Sequence, residues 1–192
     1  MATKAYEYAV HEASHAIVAW LCGFPVKRIR IDVENNRGAT DPERGFDPDE
    51  ACYYVRNHSA DDRTRSLLPR MKRDLAGRLA GTIGDEVYGI VGSEAEYKRD
   101  RAAAKELSTA ITLASWKLAD PRPPLSDREP EGVYIRRMND FVRGKLLDPH
   151  RSAIEALAAE IERKGDLSES EIRDFFASRS VSFGSVRDDE LP

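Results

Sequence analysis

The sequence predicts a mainly α-helical domain with a small β element, and three observations carry that expectation. Apolar residues recur at spacings of three and four through most of the chain, as in Leu68, Met71, Leu75, Leu79, Ile83 and Val87, the period of a helix with one buried face. One stretch alternates instead: Ile29, Ile31 and Val33 are set against Arg28, Arg30 and Asp32, as in a half-buried strand. Breakers gather between the periodic segments, with Pro121, Pro123, Pro124 and Pro130 in one connection.

The first helix is expected around Tyr8 to Ala19, a run of good helix formers that contains His11-Glu12-Ala13-Ser14-His15. Thr3 is placed to cap it, and Gly23 followed by Pro25 ends it. Positions four apart on a helix stack one turn above the other, so His11 and His15 point the same way. Two imidazoles held like that can grip one zinc ion, with Glu12 beside them to handle a proton of a metal-bound water. The competing reading is coincidence, two histidines packed in a core or facing solvent. Many chance matches would not fall on a helix, which favours the metal.

The strand over Val26 to Val33 follows directly. That position suits a zinc peptidase, where substrate is commonly held as an added strand on an exposed sheet edge; a purely structural strand explains the pattern equally well. From Glu34 to about Asp62 we expect a long loop with Ala51 to Val55 as a short element, either a strand or a helical turn. His58 there reads as a surface residue. A second helix is expected from about Ser66 to the mid-80s with Pro69 in its first turn. Its Gly77, Gly81 and Gly84 read as packing, since they let another helix approach closely.

Ser93 and Glu96 form a capping box that starts a third helix. Along it Tyr97, Asp100, Ala104, Leu107, Ile111, Ala114 and Leu118 make one stripe, and the carboxylate among them needs a positive partner if buried. That partner is either an Arg or Lys of a neighbouring helix or a zinc ion short of a ligand, because two histidines and a water leave a tetrahedral site incomplete. Asp85, Glu86 and Glu94 are the rival carboxylates. Further helices are expected over Val133 to Leu147 and from an Asp148 cap to Gly165, and a second capping box at Ser168 and Glu171 opens a last one.

With 192 residues, 41% of them hydrophobic and 33% charged, the chain suffices for one core under a well-solvated surface. We expect a domain over residues 1–180 and a flexible acidic C-terminal tail over 181–192. A net charge of −4 with interspersed basic residues argues against nucleic acid or an anionic membrane as partner. No apolar run approaches the roughly 20 residues of a membrane-spanning helix, so no membrane insertion is expected. Cys22 and Cys52 make no zinc-knuckle spacing and read as small buried hydrophobes, with a cytoplasmic location as the default.

Several of these stretches resemble one known family. Ala9 to Ala16 resembles the His-Glu-Ala-Gly-His-Ala motif of the FtsH family, membrane-bound AAA zinc metalloproteases. Val26 to Ile31 with Gly38-Ala39 is similar to the strand after that family's zinc helix. Leu75 to Arg78, ending at Tyr88-Gly89, resembles its Gly-Arg-Ala-Ala-Glu-Glu helix. Asp100 with Ala104 matches the Asp of its third-ligand helix, and His150 to Phe176 its closing helix pair. The resemblance runs from about Tyr8 to Phe176 and implies a helical, zincin-like FtsH-type peptidase fold, with His11, His15 and Asp100 as zinc ligands and Glu12 as catalytic base. Ser14 stands where the motif has Gly. The Glu-Glu pair is displaced, with Leu79-Ala80-Gly81 in its place and Asp85-Glu86 later.

Within these residues there is no Gly-x-x-x-x-Gly-Lys-Ser/Thr stretch and no membrane anchor, so ATP-driven unfolding is not expected of them. The expected activity is zinc-dependent hydrolysis of peptide bonds in peptides or unfolded protein segments, with any ATPase or adaptor supplied separately and an oligomer compatible by analogy alone. The alternative is a catalytically silent, peptidase-like metal-binding module with a regulatory or interaction role; the intact Glu12 argues against it, the displaced Glu-Glu pair for it.

Overall fold

A computed structural model describes residues 3–35, 37–91 and 94–192, the side chains of 94–96 excepted. It is mainly helical with a three-stranded antiparallel sheet. Helix α1 spans Lys4–Leu21, strands β1 and β2 span Val26–Asp32 and Arg37–Pro42, and α2 spans Pro48–Asn57. Helices α3 and α4 cover Asp62–Tyr88 and Glu94–Leu118, and α5 covers Glu131–Phe141. Helix α6 spans Arg151–Lys164, β3 Asp166–Ser168 and α7 Glu169–Ser178.

Helix α1 runs through the core, packed against α3, α6 and the sheet. Ala9, Val10, Ala13, Ala16, Ile17 and Val18 are all fully buried. Its ends form as expected. Thr3 Oγ1 accepts from the Tyr6 amide at 3.0 Å, and Gly23 takes a left-handed φ of 80° that a residue with a Cβ rarely adopts.

Strand β1 is as expected one residue shorter, with Val26 and Ile29 buried. It is, however, the middle strand of the order β2-β1-β3, with Ile29 opposite both Thr40 and Leu167. The expected free edge beside the histidine-bearing helix therefore belongs to β2. β2 and α2 together replace the expected loop. Asp47 caps α2 by accepting from the Asp49 amide at 2.9 Å, and Pro48 suits its first turn.

Helix α3 starts earlier than its apolar spacing implies. Asp61 accepts from the Thr64 amide at 2.8 Å, which carries the helix N-terminally and leaves Pro69 in the interior. The expected capping box at Ser93 and Glu96 lies outside the described residues. In the stripe of α4, Ala104, Leu107, Ile111 and Ala114 are buried. Beyond α5 the chain passes through a π segment, Val142–Leu147, and a 3-10 turn, Asp148–His150, into α6, so Asp148 does not cap a separate helix. The Ser168–Glu171 capping box is present, with the Ser168 amide donating to Glu171 Oε2 at 2.9 Å.

The C-terminal segment corrects another expectation. It is not a loose tail: Val181, Val186 and Leu191 are buried, and the Gly184 and Val186 amides donate to Trp20 and Leu21 carbonyls at 3.0 Å each. Tyr134 reaches the last residue, donating to the Pro192 carbonyl at 2.9 Å. Cys22 and Cys52 are buried and free, and burial pushes their thiols up to about 12 and about 11, so both remain small neutral groups. Among the described residues no helix is long and apolar enough to cross a membrane.

Candidate metal centre

His11 and His15 lie one turn apart on α1, on the side that faces α3 and α4. Their rings are 4.8 Å apart between centroids and nearly perpendicular. Each Nδ1 is engaged by α3. His11 Nδ1 donates to Asp85 Oδ2 at 2.8 Å, and His15 Nδ1 donates to the Gly77 carbonyl at 2.7 Å. Those acceptors select the tautomer in which both Nε2 atoms carry lone pairs. The two Nε2 atoms are 3.1 Å apart, so with both rings neutral two lone pairs face each other.

Asp100 of α4 supplies the third atom. Its Oδ2 lies 3.3 Å from His11 Nε2 and 3.4 Å from His15 Nε2, and it is buried without a hydrogen bond among the described residues. Three electron-pair donors thus converge on one point. Ligand atoms about 2.0–2.1 Å from a common zinc at the tetrahedral angle stand about 3.3–3.4 Å apart, so this set fits that ion. The electrostatics point the same way. Burial opposes a charged His11, yet the Asp100 and Asp85 carboxylates outweigh it and push its pKa up to about 10. Burial likewise opposes an ionised Asp100, but the two imidazoles hold its carboxyl well below the usual range. The centre favours a positive charge, which a proton or a metal ion can provide.

Gly81 of α3 is what allows the rings to sit there. A Cβ at this position would come within 2.6 Å of His11 Cε1 and closer to both Nε2 atoms. Gly84, one turn on, faces Ser14, and a Cβ there would lie 2.7 Å from Ser14 Cβ. The serine that departs from the family motif therefore occupies space that Gly84 leaves open, while its hydroxyl donates to the Val10 carbonyl at 2.8 Å.

Glu12 is buried at 2% exposure and turns towards β2. The Thr40 hydroxyl lies 2.7 Å from Glu12 Oε2 and 3.0 Å from the Glu12 carbonyl oxygen, and its single proton is best used by the nearer carboxylate. A Cβ on Gly38 would fall 2.9 Å from Glu12 Cδ, so glycine here makes room for the carboxylate. Glu12, His15 and Asp100 all line a cavity of about 240 Å³.

The three residues with expected ligand roles meet, and Asp100 faces both rings, whereas Asp85 and Glu86 do not. Asp85 is instead the acceptor that orients His11. Glu86 turns outward to pair with Arg143, and the Glu94 side chain lies outside the described residues. His58 is exposed and stacked on Tyr54, ring centroids 4.2 Å apart, remote from any ligand role. Sequence reasoning missed Asp85 and the Gly77 carbonyl as orienting partners, and Thr40 as a partner of Glu12. The signal for Asp85 was its place four residues, one turn, after Gly81 on the same face of α3.

No protein-family model matches the chain, and no curated protein matches it either.

Proposed function

We propose that the chain is a zinc-dependent peptidase with a zincin-like, FtsH-type site. The observation that supports this best is the convergence of His11 Nε2, His15 Nε2 and Asp100 Oδ2 within 4.8 Å of one another, with His15 and Asp100 lining the same cavity as Glu12. The resemblance of Ala9 to Ala16, with Asp100, to FtsH proteases agrees with that assignment. His11, His15 and Asp100 would hold the zinc ion, which would supply Lewis acidity, lower the pKa of a water towards about 7 and polarise a carbonyl.

The chain's own groups do the rest. Glu12, fixed by the Thr40 hydroxyl, accepts a proton from the attacking water and returns it to the amine nitrogen that leaves. The outer side of β2 offers main-chain donors and acceptors along the wall of the cavity, and an extended peptide binds there as an added strand with little sequence demand. Asp85 and the Gly77 carbonyl keep both imidazoles in the metal-binding tautomer.

The test pairs metal content with cleavage of casein. Purified protein is expected to hold about one zinc per chain and to cleave casein in a chelator-sensitive way. Asp100→Ala is expected to lose the metal, whereas Glu12→Gln keeps it and loses cleavage. Full activity in Glu12→Gln would overturn the assigned base. Stable zinc without cleavage by the parent would make the chain a silent metal-binding module.

A further inference from the structure

The cavity beside the candidate metal centre holds cationic side chains that the reaction does not require. Three guanidiniums line it, those of Arg44, Arg78 and Arg99. Besides Asp100 of the candidate metal set and Glu12, which turns to Thr40, the lining holds one further carboxylate, Asp74, which is buried at 2% exposure. Arg78 Nε donates to Asp74 Oδ2 at 2.9 Å, and Arg44 Nε donates to Asp74 Oδ1. Asp74 thus holds both arginines through Nε alone. Among the described residues their Nη groups make no other hydrogen bond or ion pair, and Arg99 makes none at all.

This arrangement is costly unless something uses it. Two half-buried guanidiniums share one buried carboxylate through Nε, which leaves their remaining donors unused in a recess where water screens poorly. Arg presents donors in a planar fork that matches a carboxylate, and a buried acid that pins two such forks keeps their free edges in place. Ala19, Phe24 and Ala103 add apolar surface to the lining. At about 240 Å³ the recess is below the roughly 300–1,000 Å³ of small-molecule sites, which suits a single side chain or a chain end.

Resting on the peptidase reading, we infer that this recess is a specificity pocket for a carboxylate next to the bond to be cleaved. Two sources share that chemistry: a Glu or Asp side chain within the peptide, or the free C-terminus of a peptide cut close to its end. Asp74 acts as the positioning residue, and Arg99, Arg44 and Arg78 are the groups that touch the anion.

Binding separates this inference from catalysis. Zinc-supplemented Glu12→Gln protein is titrated, by fluorescence anisotropy, with labelled peptides that carry Glu, Gln or Lys at each position in turn, each as C-terminal acid and as C-terminal amide. We expect the Glu peptide to bind about tenfold tighter than its Gln counterpart at one position if a side chain is the ligand, or acids about tenfold tighter than amides if the chain end is. Adding Arg99→Gln or Arg44→Gln should reduce that preference several-fold, and Arg99→Glu should shift it towards Lys. Equal affinities across the panel overturn the pocket, as does a preference unchanged in both Arg→Gln variants. Parent protein that cleaves casein while its Glu12→Gln form shows equal affinities keeps the peptidase reading and loses the pocket. A carboxylate preference without any cleavage does the reverse.

Discussion

At the scale of single residues, the candidate centre is defined by what lies behind its ligands. Asp85 is 1% exposed and touches the centre only through His11, yet it orients the ring and raises its basicity. Loss of such a partner typically weakens metal binding 10–100-fold. We expect Asp85→Asn, which keeps an acceptor but loses the charge, to weaken zinc about tenfold, and Asp85→Ala to approach the upper end. Competition against a chromophoric chelator measures both, and unchanged affinity in Asp85→Ala would contradict the role. The same residues predict a pH dependence. With its pKa raised to about 10, His11 carries a proton at neutral pH in the metal-free protein, whereas a ligand must be neutral. Zinc binding therefore expels that proton, and affinity falls by about tenfold per unit as pH drops below 10. Calorimetry in buffers of different ionisation enthalpy should show about one proton released per zinc; none would contradict this.

At the scale of elements, the contact that matters is α1 against α3. Gly81 faces the ring nitrogens and Gly84 faces Ser14, so at these levels only α1 contributes side chains to the space between the two helices. Helix propensity alone favours Gly84→Ala by about 1 kcal/mol. The overlap with Ser14 opposes it, since overpacking costs about 1–3 kcal/mol. Ser14→Gly removes both atoms that a Cβ at position 84 would meet. We expect Gly84→Ala to be neutral to destabilising alone and stabilising in the Ser14→Gly background. The coupling, read from a double-mutant cycle of urea melts, should be about 1–2 kcal/mol. Additivity within about 0.5 kcal/mol would mean the helices shift apart freely. The sheet obeys a similar logic: because β1 is central, β2 alone carries both the outer edge and the Thr40 hydroxyl that meets Glu12.

At the scale of the whole molecule, the C-terminal segment closes the structure. It lies along the end of α1, hydrogen-bonded to Trp20 and Leu21, and Arg73 of α3 holds it through the Val186 carbonyl at 3.2 Å and Asp188 at 2.8 Å. Val181, Val186 and Leu191 become buried against the core. Full burial of an aliphatic side chain contributes about 1.5–3 kcal/mol, reduced by residual burial in the unfolded chain. Deleting residues 181–192 should therefore destabilise the protein by about 3 kcal/mol or more, a fall in melting temperature of about 6–12 °C for a chain of this size. A melting temperature unchanged to within about 1 °C would show the segment to be dispensable.

Local order was legible in the residues themselves. The helix bearing His11 and His15, its Thr3 cap and Gly23 stop, the alternation of β1 and the Ser168–Glu171 box all depend on neighbours a few positions apart, where sterics and short-range hydrogen bonds decide. The stripe that placed Asp100 on a core-facing side of α4 belongs with them. What meets across the fold was not legible. Asp100, Asp85 and Glu86 are equivalent as residue types; one faces both rings, one orients a ring and one faces solvent because of how α3 and α4 lie against α1. The same holds for the outer position of β2, the carbonyl of Gly77 and the packed C-terminus, whose acidic composition reads as solvated. Periodicity reports which side of an element is buried, whereas the partner on that side is chosen by close packing between segments distant in the chain.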